Sequence, residues 1–184
     1  MALKVFVLEN SNTKRKRQTD INNAVREYLN NPKAKVVYDE ETGKATVEGA
    51  EKKIYISITC ANTVMLVALY EKPIGIDGEY MPRVFDENNK VDYVMLADRF
   101  FAPEESEFMH ETTRETEAET FLRIWVRKEA YVKAAGKTVA EFPKFSVVDG
   151  DRFLPKVNNI TIKKFAIKFP DCDDYLFAIA GLDN

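Results

Sequence analysis

The sequence predicts an α+β protein built of two linked halves. Three observations predict it. Strand-like apolar runs recur through the first 80 residues around a single helix. Helical spacing takes over after the polar break Asp86-Glu87-Asn88-Asn89, and strand-like runs return near the end. A length of 184 residues holds one large domain or two small halves, and the break places these halves at 1–86 and 87–184.

In the first half, Leu3-Val5-Val7 reads as a strand. A basic run follows, Lys14-Arg15-Lys16-Arg17, and then a helix near Asp20 to Asn30. Asp20 is the expected N-cap, and Asn30-Asn31-Pro32 the stop. Strands are expected at Lys35 to Tyr38, Ala45 to Val47 and Ile54 to Ile58, the first two joined as a hairpin through Glu41-Thr42-Gly43-Lys44. Met65 to Tyr70 and Pro73 to Asp77 read as a second hairpin around Glu71-Lys72. In the second half, Val91 to Phe101 is helical, and Ala102-Pro103-Glu104 starts another helix with proline in its first turn. A long helix is expected from about Thr116 to Ala135, closed by Gly136. Phe145 to Val148, Ile160 to Phe169 and Tyr175 to Ala180 read as strands.

The composition narrows the function classes. A net charge of −3, from 27 basic and 30 acidic residues, lacks the basic excess of a nucleic-acid binder. No apolar run approaches the roughly 20 residues of a bilayer span, and MALKVFVLEN lacks the layout of a signal peptide. Cys60 and Cys172 form neither a disulfide framework nor a zinc cluster. A cytoplasmic protein with no nucleic-acid and no membrane partner is the expectation.

Two groups of charges stand out. In Ile74-Gly75-Ile76-Asp77-Gly78-Glu79, carboxylates two apart on an extended chain face the same side, an arrangement suited to Mg²⁺ or Ca²⁺. The same residues also fit an ordinary loop after a strand. On the long helix, Phe121, Ile124, Trp125, Val132 and Ala135 form an apolar stripe. Glu129 lies on its shoulder and Lys133 one turn on. A carboxylate at a core edge needs a partner or a cation, although Glu129 and Lys133 could equally form a simple helix-surface pair. His110 reads as a surface residue of the acidic stretch from Glu104 to Glu119.

Taken together, Pro73-Ile-Gly-Ile-Asp77-Gly-Glu79, Arg99-Phe-Phe-Ala-Pro-Glu104-Glu105 and Trp125-Val-Arg-Lys128-Glu129-Ala-Tyr-Val-Lys133-Ala-Ala-Gly136 resemble the 4′-phosphopantetheinyl transferase superfamily. The resemblance is to its two-half, single-chain type. It implies a pseudo-dimer of two similar α+β halves with the site in the cleft between them. The implied activity is transfer of the 4′-phosphopantetheine arm of coenzyme A to a serine of an apo acyl or peptidyl carrier protein, releasing adenosine 3′,5′-bisphosphate. Asp77, Glu79 and Glu129 would hold Mg²⁺, Glu129 would help deprotonate the serine, and Lys133 would neutralise the pyrophosphate. Two halves in one chain imply a monomer.

For coenzyme A itself the resemblance points to Arg17 at the 3′-phosphate, Lys44 beside the adenine, and Thr59. The family's Gly-Lys-Pro reads Gly43-Lys44-Ala45 here. Its Ser-His-Ser segment is replaced by Ile58-Thr59-Cys60-Ala61-Asn62. Cys60 cannot carry the histidine's charge, so weaker 3′-phosphate recognition, or compensation by Arg17, is expected. A basic or apolar patch should receive the carrier. The alternative is a non-catalytic relative that binds a carrier protein or nucleotide. A phosphohydrolase using the same carboxylates is a third, weaker reading.

Overall fold

The computed structural model describes residues 1–85, 90–169 and 172–182. The polar break at 86–89, and the boundary drawn there, lie outside these residues. The elements in order are β1 (Lys4–Glu9), α1 (Lys14–Leu29), β2 (Lys35–Tyr38), β3 (Ala45–Glu48), β4 (Tyr55–Ala61), β5 (Val64–Tyr70) and β6 (Ile74–Tyr80). Then come α2 (Tyr93–Phe100), α3 (Pro103–Glu111), α4 (Glu117–Ala135), β7 (Val148–Asp149), β8 (Arg152–Phe153), β9 (Lys156–Val157), β10 (Ile160–Lys164) and β11 (Tyr175–Leu182). This is an α+β fold. Its two larger sheets are antiparallel, in the orders β1-β5-β4 and β6-β11-β10-β9.

α1 begins six residues before the expected cap. Thr13 is the N-cap, its hydroxyl accepting from the Lys16 amide, so Lys14 to Arg17 form the helix's first turn instead of a loop. Asn30, in the left-handed region at φ 48°, closes the helix. The hairpin of β2 and β3 forms as expected.

The second expected hairpin does not form. β5 pairs with β1 and β4, whereas β6 crosses to β11, with Asp77 opposite Ala178. The reason lies in β5, whose residues are apolar on both faces. Met65, Val67 and Leu69 pack with Ile21 and Val25 of α1. Val64, Leu66 and Ala68 pack against Ile74, Ile76, Tyr175 and Phe177 of the other sheet. β6 therefore packs against that face of the first sheet without joining it, and its strand partner comes from the far end of the chain.

α4 lies on the second sheet above a core that includes Phe121, Ile124, Val126, Ala130 and Ala178. Gly136 caps it in the left-handed region at φ 67°. Phe145 to Val147 lie in no strand, and β10 stops at Lys164, short of the expected Phe169. Among the described residues no helix is long and apolar enough to cross a membrane.

Candidate active site

The site is built where β6 presses against α4. Residues 75, 77 and 79 share one face of the strand. Gly75 permits the approach, since a Cβ there would stand 2.0 Å from the carbonyl oxygen of Ala130 and 2.6 Å from the Ala134 amide. The close contact carries Asp77 and Glu79 toward Glu129 and Lys133, one helical turn apart on α4.

Lys133 is the hub. Its Nζ donates to Asp77 Oδ1 at 2.7 Å and to the Ile76 carbonyl at 3.2 Å, and lies 3.7 Å from Glu129 Oε2. Thr59 locks Asp77 from the opposite side, its hydroxyl donating to Oδ1 at 3.0 Å and accepting from the Gly78 amide at 3.2 Å. Ser57 accepts from the Ile76 amide at 2.9 Å. The two hydroxyls of β4 thus satisfy the β6 amides that do not pair with β11 and join the two sheets. Thr59 is buried and committed to β6.

The carboxylates are under-compensated. Asp77 Oδ2 is buried with no hydrogen-bond partner. Burial pushes the Asp77 carboxyl above its ordinary range, against the pull of Lys133. Glu79 is pushed up to about 7 by burial, opposed by Arg83 and reinforced by Asp77 and Glu129. Burial raises Glu129 as well, again opposed by Lys133. Arg83 pairs with Glu79 at 2.5 Å. Among the described residues no three His, Cys, Asp or Glu side chains stand ready to hold a metal ion; Lys133 and Arg83 are the cations on Asp77 and Glu79. Even so, the donor set suits a hard cation: three half-buried or buried carboxylates with raised affinity for protons, one with a vacant oxygen.

The other expected positions come from separate parts of the first half. Arg17, on α1, donates to the Ser11 carbonyl at 2.6 Å. Cys60 is exposed on β4; partial desolvation by its neighbours pushes the thiol up while Arg17 and Lys133 pull it down. Lys44, at the β2–β3 turn, reaches the C-terminal end of α4, its Nζ 3.7 Å from where a Cβ on Gly136 would sit. Arg17 and Lys133 thus both lie within electrostatic reach of Cys60, and Lys44 lies beside Gly136 at the end of α4.

Two features were not foreseen. Glu105, assigned to an exposed acidic stretch, is fully buried beside Lys128 at 2.5 Å. Arg83, whose only sequence signal is its spacing of four from Glu79, holds that carboxylate. His110 is exposed, 3.0 Å from Asp98. Beyond Glu79 lies a groove of about 530 Å³ lined by Arg83, Tyr93, Leu96, Phe100 and Trp125 among others.

Comparison with known proteins adds the family. A model of the 4′-phosphopantetheinyl transferase superfamily matches residues 73–180, which is more than half of the chain. The chain is 31% identical over 124 residues to the 4′-phosphopantetheinyl transferase HetI of Nostoc sp., covering 65% of this chain and 50% of that one. It is 30% identical over 98 residues to a 4′-phosphopantetheinyl transferase of Bacillus subtilis, covering 53% and 40%. Over 110 residues it is 26% identical to the 4′-phosphopantetheinyl transferase gsp of Aneurinibacillus migulanus, covering 59% and 42%. The matches span half or less of these relatives. The matched segment contains β6, α4 and every carboxylate of the site, and the chain belongs to the 4′-phosphopantetheinyl transferase superfamily.

Proposed function

We propose that this protein transfers the 4′-phosphopantetheine arm of coenzyme A to a serine of an apo acyl or peptidyl carrier protein. The observation that carries the reading is the junction of β6 and α4, where Asp77 and Glu129 share Lys133, Glu79 pairs with Arg83, and a buried carboxylate oxygen is left without a partner. Asp77, Glu79 and Glu129 would hold Mg²⁺, whose charge would offset that of the pyrophosphate. In that state Lys133 and Arg83 give up their present carboxylate partners.

The chain's own residues account for the rest. Glu129, with its proton affinity raised by burial, takes the proton from the serine hydroxyl. The serine oxygen bonds to the β-phosphorus of coenzyme A as the pyrophosphate P–O bond breaks. Adenosine 3′,5′-bisphosphate departs with the bonding electrons. Lys133 meets the charge that develops on the departing oxygen. Thr59 holds Asp77 in place. We assign Arg17, within electrostatic reach of Cys60, and Lys44, beside the end of α4, to the nucleotide's phosphate and adenine. Arg17 supplies the positive charge that Cys60 lacks.

The groove beside Glu79 is the surface we assign to the carrier. It is largely apolar, it opens next to Glu79 and Trp125, and Met95 and Phe100 add exposed apolar area nearby. We further propose that segments 1–86 and 87–184 act as two halves of one monomer, with the nucleotide bound between them.

The test is intact mass spectrometry of a panel of apo carrier proteins after incubation with coenzyme A and Mg²⁺. One carrier should gain the arm with wild-type protein and none with Glu129→Ala. Coenzyme A binding without any modified carrier would favour the non-catalytic alternative. Bisphosphate release without a carrier would favour hydrolysis.

A further inference from the structure

The cations on Asp77 and on Glu79 are held in different ways. Lys133 is shared among the Asp77 carboxylate, the Ile76 carbonyl and Glu129, with its side chain 30% exposed. Arg83 comes instead from a short 3₁₀ turn, Met81–Val84, that directly follows β6. Pro82 stiffens the start of this turn, and the Phe85 amide closes it by donating to the Pro82 carbonyl. The turn brings the guanidinium back over the end of the strand, 2.5 Å from Glu79 Oε2. The Glu79 side chain is 14% exposed and that of Arg83 58%. Arg83 therefore reaches from the surface to a largely buried carboxylate, and both residues line the groove beside the site.

Charge decides what this contact does. When ionised, Asp77, Glu79 and Glu129 carry three negative charges against two positive charges on Lys133 and Arg83. A divalent cation together with Lys133 balances the three carboxylates, so the Arg83 charge is then in excess at the cluster. An arginine cannot give up its proton to relieve that excess. The Arg83 end of the pair stands in solvent, where an ion pair is weak and readily exchanged. Lys133 is a different case, since it keeps the Ile76 carbonyl when its carboxylates turn to another cation.

We propose that Arg83 is a built-in competitor of the divalent cation. It neutralises Glu79 in the metal-free protein and, by occupying that carboxylate, sets the metal affinity of the whole cluster. The inference rests on the assignment of Asp77, Glu79 and Glu129 to a divalent cation, and it names what regulates that site. The contact keeps Glu79 compensated while the site is empty and lets the cluster fill only above a threshold of cation concentration.

The test measures Mn²⁺ binding to the full-length, EDTA-treated protein at about pH 8.5, where Glu79 has lost the proton it holds up to about 7. Loss of the paramagnetic resonance signal of Mn²⁺ in solution reports binding. Arg83→Gln should bind Mn²⁺ about three- to tenfold more tightly than wild type. Thermal unfolding in EDTA at the same pH is the second readout. Arg83→Gln should lower the midpoint by about 2–4 °C in the wild-type chain. In the Glu79→Gln chain the same substitution should leave it unchanged, because Arg83 acts through that carboxylate. An equal or weaker Mn²⁺ affinity in Arg83→Gln would overturn the proposal, as would the same midpoint change in both chains. Carrier modification by wild type alongside either result would leave the proposed transfer standing. Absence of Mn²⁺ binding to both proteins, with no carrier modified in Mn²⁺ or Mg²⁺, would remove the transfer reading as well.

Discussion

Lys128 and Glu129 are neighbours on α4, yet they belong to two charge clusters completed to opposite degrees. Lys128 and Glu105 are both fully buried. Glu105 Oε2 accepts from Lys128 and from the Ala102 amide, and Oε1 accepts from the Val147 amide at 2.7 Å. Lys128 also donates to the Phe145 carbonyl at 2.5 Å. The pair has no oxygen left to offer. One step along the helix, Asp77 and Glu129 share Lys133, Glu79 leans on the exposed Arg83, and Asp77 Oδ2 has no partner at all. A closed pair of this kind ties α3, α4 and the segment before β7 together. An open cluster retains capacity for something the protein must bind. Burial alone does not separate structure from function here; satisfaction of the buried groups does.

The largest contrast should come from the two lysines. Lys128→Met leaves the Glu105 carboxylate buried without its counter-charge, and a loss of about 3–5 kcal/mol is expected in urea unfolding. Lys133→Met, at a half-exposed site, should cost about 1–2 kcal/mol but abolish carrier modification. Equal stability losses for the two would erase the distinction.

The next effect has the opposite sign. Glu79 holds its proton to about pH 7 when folded, against an ordinary value of 4.5. The folded state therefore binds more protons than the unfolded state in this window. Stability is greatest below pH 4.5 with respect to this group and falls as pH rises through 7. Without divalent ions, Glu79→Gln should be more stable than wild type at alkaline pH by on the order of 2–3 kcal/mol, and no more stable at acid pH. Thermal unfolding across pH measures it. Added Mg²⁺ should shrink the difference.

Gly75→Ala should cost about 1–3 kcal/mol, because a methyl group cannot occupy space 2.0 Å from the Ala130 oxygen. It should also lower transfer activity by moving Asp77 and Glu79 from α4. Ordinary stability with ordinary activity would contradict the role given to this contact. Smallest is Thr59→Val, which removes one hydrogen bond to Asp77 and an acceptor for the Gly78 amide. A loss of about 1–2 kcal/mol is expected, with the fall in kcat exceeding any rise in KM for coenzyme A.

The legibility of these features in the sequence follows the range of the interactions behind them. α4 was readable end to end, because its apolar spacing and the glycine at 136 are local properties of one segment. Asp77, Glu79, Glu129 and Lys133 were named from strand and helix periodicity together with a family resemblance, and they meet at one place. The start of α1 is hidden in the sequence because Lys14 to Arg17 look like a solvated run, while the signal that decides it is the single hydroxyl of Thr13. The partner of β6 was not readable, since β11 lies about a hundred residues away and adjacency in sequence favoured a hairpin with β5. The burial of Glu105 was hidden for a related reason: its counter-ion Lys128 is 23 residues distant, and nothing local distinguishes it from the glutamates around it.

The central claim is that the open cluster, and not the closed one, performs the chemistry. Carrier modification by intact mass, with coenzyme A and Mg²⁺, should be compared for wild type, Glu129→Gln and Glu105→Gln at a temperature where all three are folded. The arm should appear on the carrier serine with wild type, appear more slowly with Glu105→Gln in proportion to its loss of folded protein, and not appear with Glu129→Gln. Full modification by Glu129→Gln would contradict the claim.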